Sequence, residues 1–420
     1  MLIEFNVANY RSLKNSQALN LVAAKDTSLQ KSNCMPSGVH GIPQLLRSAI
    51  LYGANASGKS NLISALVFMR NMVTLSATTI SEGQKLNVSP FRFDTETLNL
   101  PAEFEVIFIE NNIRYQYGFS LNAHRVVKEW LFANVGSKAQ CWFERAYDTD
   151  QNKDIYKFGS HLTGGKQRNL WRDSTRGNAL FLSTAVHLNS EQLRPIFSWF
   201  VNKLIVVESN TPLSPFYTME CVKHEEKKAQ IIELLKSADL GITNVEIKMQ
   251  KGKHVQFRVD SGVPTIDAPI ETEIPSATLS HRGNNNDQVD FELYEESHGT
   301  QRIFAYAGPL LDVLQEGKIF VVDELDCSLH PNMVRFLVNL VQNPELNKNN
   351  AQLIFTTHNT SLLDMELFRR DQIWFMEKDQ EQSSHLYPLT DFSPRKAEAI
   401  EKGYLLGRYG ALPFLGEFTL

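Results

Sequence analysis

Lys59 and Ser60 follow Gly53-Ala-Asn-Ala-Ser-Gly58, and the eight residues read G-x-x-x-x-G-K-S. That is the spacing of a phosphate-binding P-loop, and its chemistry is anion binding. Backbone N–H groups of such a loop, with the N-terminus of the helix behind it, form a concave site for phosphate oxygens. Lys59 adds a point charge for the β- and γ-phosphates, and Ser60 offers a hydroxyl to Mg2+. Gly53, Asn55, Gly58 and Asn61 are the expected neighbours of the same ligand, ATP. A second constellation is Ile319-Phe-Val-Val-Asp323-Glu324, four apolar residues and two acids. A buried strand would place both acids at its C-terminal end, where ligands of open α/β sheets bind. Asp323 would hold Mg2+ directly or through water, and Glu324 would orient or deprotonate an attacking water. His358 follows the next apolar strand and can contact the γ-phosphate.

The spacing of these groups is informative. From Ser60 to Asp323 is 263 positions (323 − 60), so two halves of one site lie at opposite ends of the chain with insertions between. Ser297 and Gly299 open a helix 24 positions before Asp323 (323 − 299). A capped helix start exposes N–H groups and forms a second anion site. One chain needs one triphosphate site, so this start can complete the site of another copy; an ordinary capped helix is the alternative. Asp326, two residues past Glu324, suits a dimer contact.

The elements that must position these residues are legible as pattern. Ala49-Ile50-Leu51-Tyr52 has strand character, and Leu62, Ile63, Ala65, Leu66 and Met69 recur at helical spacing. The glycines therefore turn the chain between a strand and a helix. Residues 1–8 alternate at Ile3, Phe5 and Val7 and suggest an edge strand. Arg11, in Asn9-Tyr10-Arg11-Ser12-Leu13, is either part of a plain turn or a basic residue near the nucleotide. Residues 25–45, with Pro36, Gly38, Gly41 and Pro43, look like loop. Two β-rich runs around Asn111-Asn112 form a hairpin signal, so an antiparallel β subdomain follows the P-loop helix. Residues 150–178 are polar and locally basic around Trp171, a solvated loop or a contact to a phosphate backbone or a partner. Residues 260–288 carry Pro264, Pro269 and Pro275 and look irregular. Beyond them strands alternate with helices, the signature of a parallel α/β sheet.

Composition sets the bounds. The 420 residues are 42% hydrophobic, enough for a large core and two to three domain-sized units or one large domain with insertions. The net charge of −5 removes any global basic signature for nucleic acid. Cys34, Cys141, Cys221 and Cys327 form no C-x-x-C pair, which argues against a zinc site or disulfide framework and fits a reducing cytosol. Residues 1–6 lack a signal-peptide pattern and no apolar run reaches membrane-spanning length, so a cytoplasmic protein without membrane contact is expected.

The ordered motifs resemble ABC-type ATPases of the SMC/RecF branch: P-loop, Ser297-x-Gly299 signature, Asp323-Glu324, Asp326 and His358. Val7-Ala-Asn-Tyr-Arg-Ser-Leu looks like that branch's N-terminal element. Glu296-Ser-His-Gly-Thr-Gln-Arg, Asp323-Glu-Leu-Asp-Cys-Ser-Leu-His-Pro and Gly407-Arg-Tyr-Gly-Ala-Leu-Pro are similar to the RloA-like relatives of OLD-family ATPases, including the sensor ATPase of the PARIS anti-phage system. The signature departs from Leu-Ser-Gly-Gly-Gln at Glu296 and His298. The resemblance implies an α/β, ABC-type P-loop ATPase head with an antiparallel β subdomain and an inserted α/β middle region. The expected divisions are an N-terminal lobe at 1–207, an insert at 208–288 and a C-terminal lobe at 289–420. It further implies ATP hydrolysis with Mg2+, an ATP-dependent dimer or higher oligomer, and anti-phage defence through a separate effector such as a Toprim nuclease. The trigger would be a phage-derived protein or DNA. About 60 residues follow His358, too few for a Toprim domain, so no nuclease is expected within the chain. A DNA-repair ATPase and a non-hydrolysing scaffold are the alternative readings.

Overall fold

A strand apolar on both faces is stable only in a sheet covered on both sides, and all five residues of Ser48–Tyr52 are buried. In the computed structural model this strand lies inside a six-stranded sheet. The order is Leu204–Val207, Ile319–Val322, Gln352–Thr356, Ser48–Tyr52, Ile373–Lys378, Ser384–Pro388. The first five strands are parallel, and the last is antiparallel to its neighbour. Leu51 pairs with Thr356 and Val322 with Phe355, so the strand ends that carry the P-loop, Asp323 and His358 lie along one edge.

The structure describes residues 1–136, 138–211, 213–238, 240–254, 257–260, 263–266, 270–285, 287–395 and 398–413, with side chains outside 252–272. Two units emerge. The first contains Met1–Thr211, Val313–Cys327 and Val334–Leu420; the second contains Pro212–Asp312 and Ser328–Met333. The six-stranded sheet belongs to the first unit. So does a seven-stranded antiparallel sheet, ordered Lys153–Phe158, Lys138–Asp148, Val126–Val135, Ile113–Leu121, Ala102–Glu110, Leu2–Ala8, Gln17–Asn20. The P-loop helix Lys59–Leu75 packs against it: Phe68 lies 5.0 Å from Phe104, ring centre to ring centre. The Asn111-Asn112 turn joins two strands of this sheet, both residues with positive φ, as a tight hairpin requires. The second unit, by itself, holds helices Phe216–Val222 and Glu225–Ser237 and an antiparallel sheet of Ile242–His254, Ile270–Arg282 and Gln288–Glu292. Residues 289–312 group with this second unit, and the helix His298–Glu316 has its last four residues in the first.

Four expectations about local structure are corrected. Leu2–Ala8 is not an edge strand; it pairs with Gln17–Asn20 on one side and Ala102–Glu110 on the other. Residues 25–45 are not loop: Cys34–Val39 pairs with Ile42–Leu46, because buried Met35 and Leu45 outweigh the turn residues around them. The stretch 150–178 contains the strand Lys153–Phe158 and the helix Gln167–Ser174, whose Trp171 is buried in the core and unavailable for stacking on a base. Of 260–288, Pro269 lies outside the described residues, but Ile270–Arg282 is a strand paired along its length with Ile242–His254.

A buried ion cluster ties the start of the helix Phe181–His187 to the seven-stranded sheet. The fully buried Glu129 carboxylate accepts the N–H groups of Phe181 (2.6 Å) and Leu182 (3.0 Å) at the start of the helix Phe181–His187, and the Tyr117 hydroxyl (3.0 Å). The buried Arg145 guanidinium lies 3.7 Å away and donates to Asp154 at 2.9 Å. Glu129→Ala leaves Arg145 short of one partner and two N–H groups unpaired; its expected cost is about 3–5 kcal/mol, measurable by denaturant unfolding.

Candidate functional site

The P-loop is shaped by two glycines that cannot be replaced without displacement. A Cβ on Gly53 would strike the Met376 carbonyl and the Ser57 hydroxyl, and one on Gly58, at φ +113°, would strike the Ser384 side chain. Ala56 at the crest is also left-handed, at φ +62°. Lys59 folds back over the loop, its Nζ donating to Gly53 O at 2.8 Å and Ala54 O at 3.1 Å. Asn55 and Ser60 are exposed. The Ser57 hydroxyl is buried and has no partner, and a buried polar atom left unpaired carries a cost that a ligand can relieve.

Asp323 sits at the end of its strand, 2% exposed, its Oδ1 accepting the Thr356 hydroxyl at 2.6 Å. The same hydroxyl oxygen accepts the Glu324 N–H at 2.7 Å. Thr356 thus couples the two acids to the neighbouring strand. Glu324 holds φ +54°, an uncommon conformation for a residue with a side chain. Asp326 accepts the His358 N–H at 3.3 Å through one oxygen, and its other oxygen is buried and unpaired. Burial pulls the Lys59 ammonium below its usual pKa, opposed by the nearby charges of Asp323, Glu324 and Asp326. Burial, then the Lys59 charge, pull His358 down, against the same three acids. One lysine, three carboxylates and one imidazole therefore share an electrostatic neighbourhood.

Arg11 is exposed beside the P-loop helix, its Nη1 3.5 Å from Asn61 Oδ1. Asn61 donates to the Ser12 hydroxyl at 2.7 Å, and Ser384 donates to the same hydroxyl at 2.7 Å. Ser384 and Thr356 carry no motif in the sequence, and Ser12 lies in the N-terminal Asn9-Tyr-Arg-Ser element without a sign of its partners. Serine and threonine are common, and nothing local marks a hydroxyl that pairs across 372 positions. The Thr356-Thr357-His358 run at a strand end was the one available signal for Thr356.

Ser297 and Gly299 belong to the second unit. The Ser297 hydroxyl accepts the Thr300 N–H at 3.1 Å, so the expected helix cap is formed. A Cβ on Gly299 would come 3.0 Å from the Ser328 carbonyl, which favours glycine there. In the basic stretch Lys157 and Arg172 carry ion pairs to Glu144 and Asp173.

These residues suit a magnesium nucleotide. The crest carries an unpaired buried hydroxyl beside a buried lysine. Among the described residues no group of three or more His, Cys, Asp or Glu could hold a metal unaided. Mg2+ is commonly held by one or two carboxylates together with substrate phosphates, and Asp323 with the Ser60 hydroxyl could supply the protein's share. Strand, glycine crest, lysine and buried strand-end aspartate define a P-loop ATPase. The chain belongs to the family described as "AAA domain, putative AbiEii toxin, Type IV TA system", whose model matches residues 48–364, from the first residue of the P-loop strand to just past His358. Among solved structures it is similar to an SMC head domain from Thermotoga maritima (14% identity over 92% of this chain and 98% of that one, TM-score 0.41). It is also similar to an SMC head crystallised with the C-winged helix domain of ScpA (12% identity, 92% and 97%, TM-score 0.41). No curated protein matches. No helix among the described residues is long and apolar enough to cross a membrane.

Gly58→Ala should cost about 1–2 kcal/mol through its left-handed backbone alone and weaken triphosphate binding; thermal unfolding and titration with a fluorescent ATP analogue measure the two effects separately.

Proposed function

We propose that the chain binds and hydrolyses ATP as a head-to-head dimer, and that its ATP state controls a separate toxic effector in anti-phage defence. The observation that carries the ATPase reading is that the parallel strands bring the P-loop, Asp323, Glu324 and the His358 loop to one sheet edge, where Thr356 binds both acids and Asp326 accepts the His358 N–H, despite their separation along the chain. In this reading the 53–58 crest and the Lys59 ammonium bind the β- and γ-phosphates, with Asn55 and Asn61 beside them and Arg11 near the nucleotide. Ser60 and Asp323 would hold Mg2+, which would supply charge neutralisation at the phosphates. Glu324 orients and deprotonates the attacking water, and His358, whose pKa is drawn down by burial and the Lys59 charge, meets the γ-phosphate. Ser297 and Gly299 reach the site of the other copy. The capped helix start supports that role, because the cap fixes the first turn that would face the ligand.

The defence role rests on the RloA-like and OLD-like resemblance of the motifs. The family description, which speaks of a putative toxin, is in keeping with a toxic outcome. The effector would be a separate protein such as a Toprim nuclease, released on a phage-derived trigger. Burial of Trp171 and the ion pairs of Lys157 and Arg172 weaken the motive for a DNA-repair reading.

Glu324→Gln should slow phosphate release by roughly 10²–10⁴ if Glu324 is the general base, and should accumulate ATP-bound dimers in size-exclusion chromatography with light scattering. Undiminished hydrolysis in that variant would contradict the assignment.

A further inference from the structure

The C-terminal motif Gly407-Arg-Tyr-Gly-Ala-Leu-Pro has no part in the site described so far, yet it is built against it. A cavity of about 620 Å3 opens beside the P-loop crest. Its walls are residues 53–57, His358 and Thr360, and the chain around Tyr404, Leu405 and 411–413. The segment is held firmly. Tyr404 and Tyr409 both stack on Phe375, at 5.4 and 5.8 Å between ring centres. The Tyr404 hydroxyl donates to Ala411 O at 3.1 Å, and the Tyr387 hydroxyl to Tyr409 O at 3.0 Å. Gly407, Gly410 and Ala411 are all left-handed, and a Cβ on Gly410 would lie 2.5 Å from Glu377 Oε2. A non-glycine residue held left-handed is strained, and such strain persists only where the surroundings over-determine it.

The segment also grips the His358 loop. Glu401 accepts the Thr360 hydroxyl at 2.9 Å. The Tyr404 ring packs 5.8 Å from Tyr52, the last residue of the P-loop strand, and the Tyr52 hydroxyl donates to Asn359 O at 3.1 Å. Together with the Asp326 contact to the His358 N–H, three consecutive residues of that loop are each tied to a different wall.

We propose that residues 400–413 form a working wall of the triphosphate site, with Glu401 and Tyr404 positioning the His358 loop and 411–413 enclosing the phosphate end of the ligand. The proposal rests on the reading of His358 as a γ-phosphate contact. Glu401 is a positioning residue, because it acts through Thr360.

Hydrogen–deuterium exchange of the full chain, with and without Mg2+ and ATPγS, tests the wall. The expected result is exchange slowed about tenfold at residues 403–411 as well as in the first turns of the P-loop helix. Protection of the helix with none at 403–411 overturns this inference and leaves ATP binding intact. No protection at either place overturns both. Positioning is tested by a pair of variants. Glu401→Ala should lower turnover roughly ten- to a hundredfold while ATP affinity stays within about threefold. Glu401→Gln keeps an acceptor for Thr360 and should stay near the wild-type rate. Equal rates in the two variants would overturn the positioning role.

Discussion

Everything at the nucleotide site depends on how the strand Ser48–Tyr52 is held in register between its two parallel neighbours. Side-chain amides supply that hold. Gln372 donates to the Ser48 hydroxyl at 2.7 Å and to its carbonyl at 3.1 Å, and Gln342 donates to the same hydroxyl at 3.1 Å. Gln352, at the start of the other neighbour, accepts the Leu2 N–H at 2.6 Å and donates to Leu2 O and Leu46 O. Ser48, Gln342, Gln352 and Gln372 are all buried. A fully paired buried polar network specifies one arrangement, since any slip leaves amides unsatisfied at a cost of about 1–3 kcal/mol each. A slip of one residue would also turn the strand's side chains to the opposite face. Gln352 ties the first strand of the antiparallel sheet to the same framework, so the two large sheets of the first unit share one reference point.

From that register the chemistry follows by short steps. The strand ends place Tyr52, Val322 and Thr356 along one edge, and the next residues of each strand are the P-loop, Asp323 and the His358 loop. Thr356 binds Asp323 and the Glu324 N–H with one hydroxyl, so the two acids move with the strand that carries His358. Ser384 and Ser12 close the other flank, against Gly58 and Asn61. The P-loop is thus supported from both sides by residues distant in sequence. The left-handed backbone of Glu324 is consistent with a site that spends some stability on geometry.

Much of this was legible in the sequence, and the divisions have physical causes. The P-loop, the strand ending in Asp323-Glu324 and the helix cap at Ser297 are local signals: glycine spacing, an apolar run closed by acids, and a hydroxyl before a helix. The hairpin at Asn111-Asn112 is local as well. The supporting hydroxyls of Thr356 and Ser384, and the pairing of Ser12 inside its N-terminal element, were not legible, because these roles are defined only by partners far along the chain. Three polar or proline-bearing stretches looked irregular and yet hold strands at 34–46, 153–158 and 270–282. In the first, Cys34, Met35, Leu45 and Leu46 are buried, so tertiary burial outweighs turn propensity. The edge position expected for Leu2–Ala8 failed because alternation reports a half-buried face and does not report how many neighbours a strand has.

The proposed role of this framework, to hold a triphosphate against Lys59, is tested most directly by equilibrium titration of the full chain with ATP and Mg2+, wild type beside Lys59→Ala. Loss of a charged donor to the phosphates should weaken binding about 10- to 100-fold in a variant that keeps the wild-type circular dichroism spectrum. Equal affinity in the two proteins, or no ATP binding by the wild type, would contradict a phosphate-binding role for Lys59.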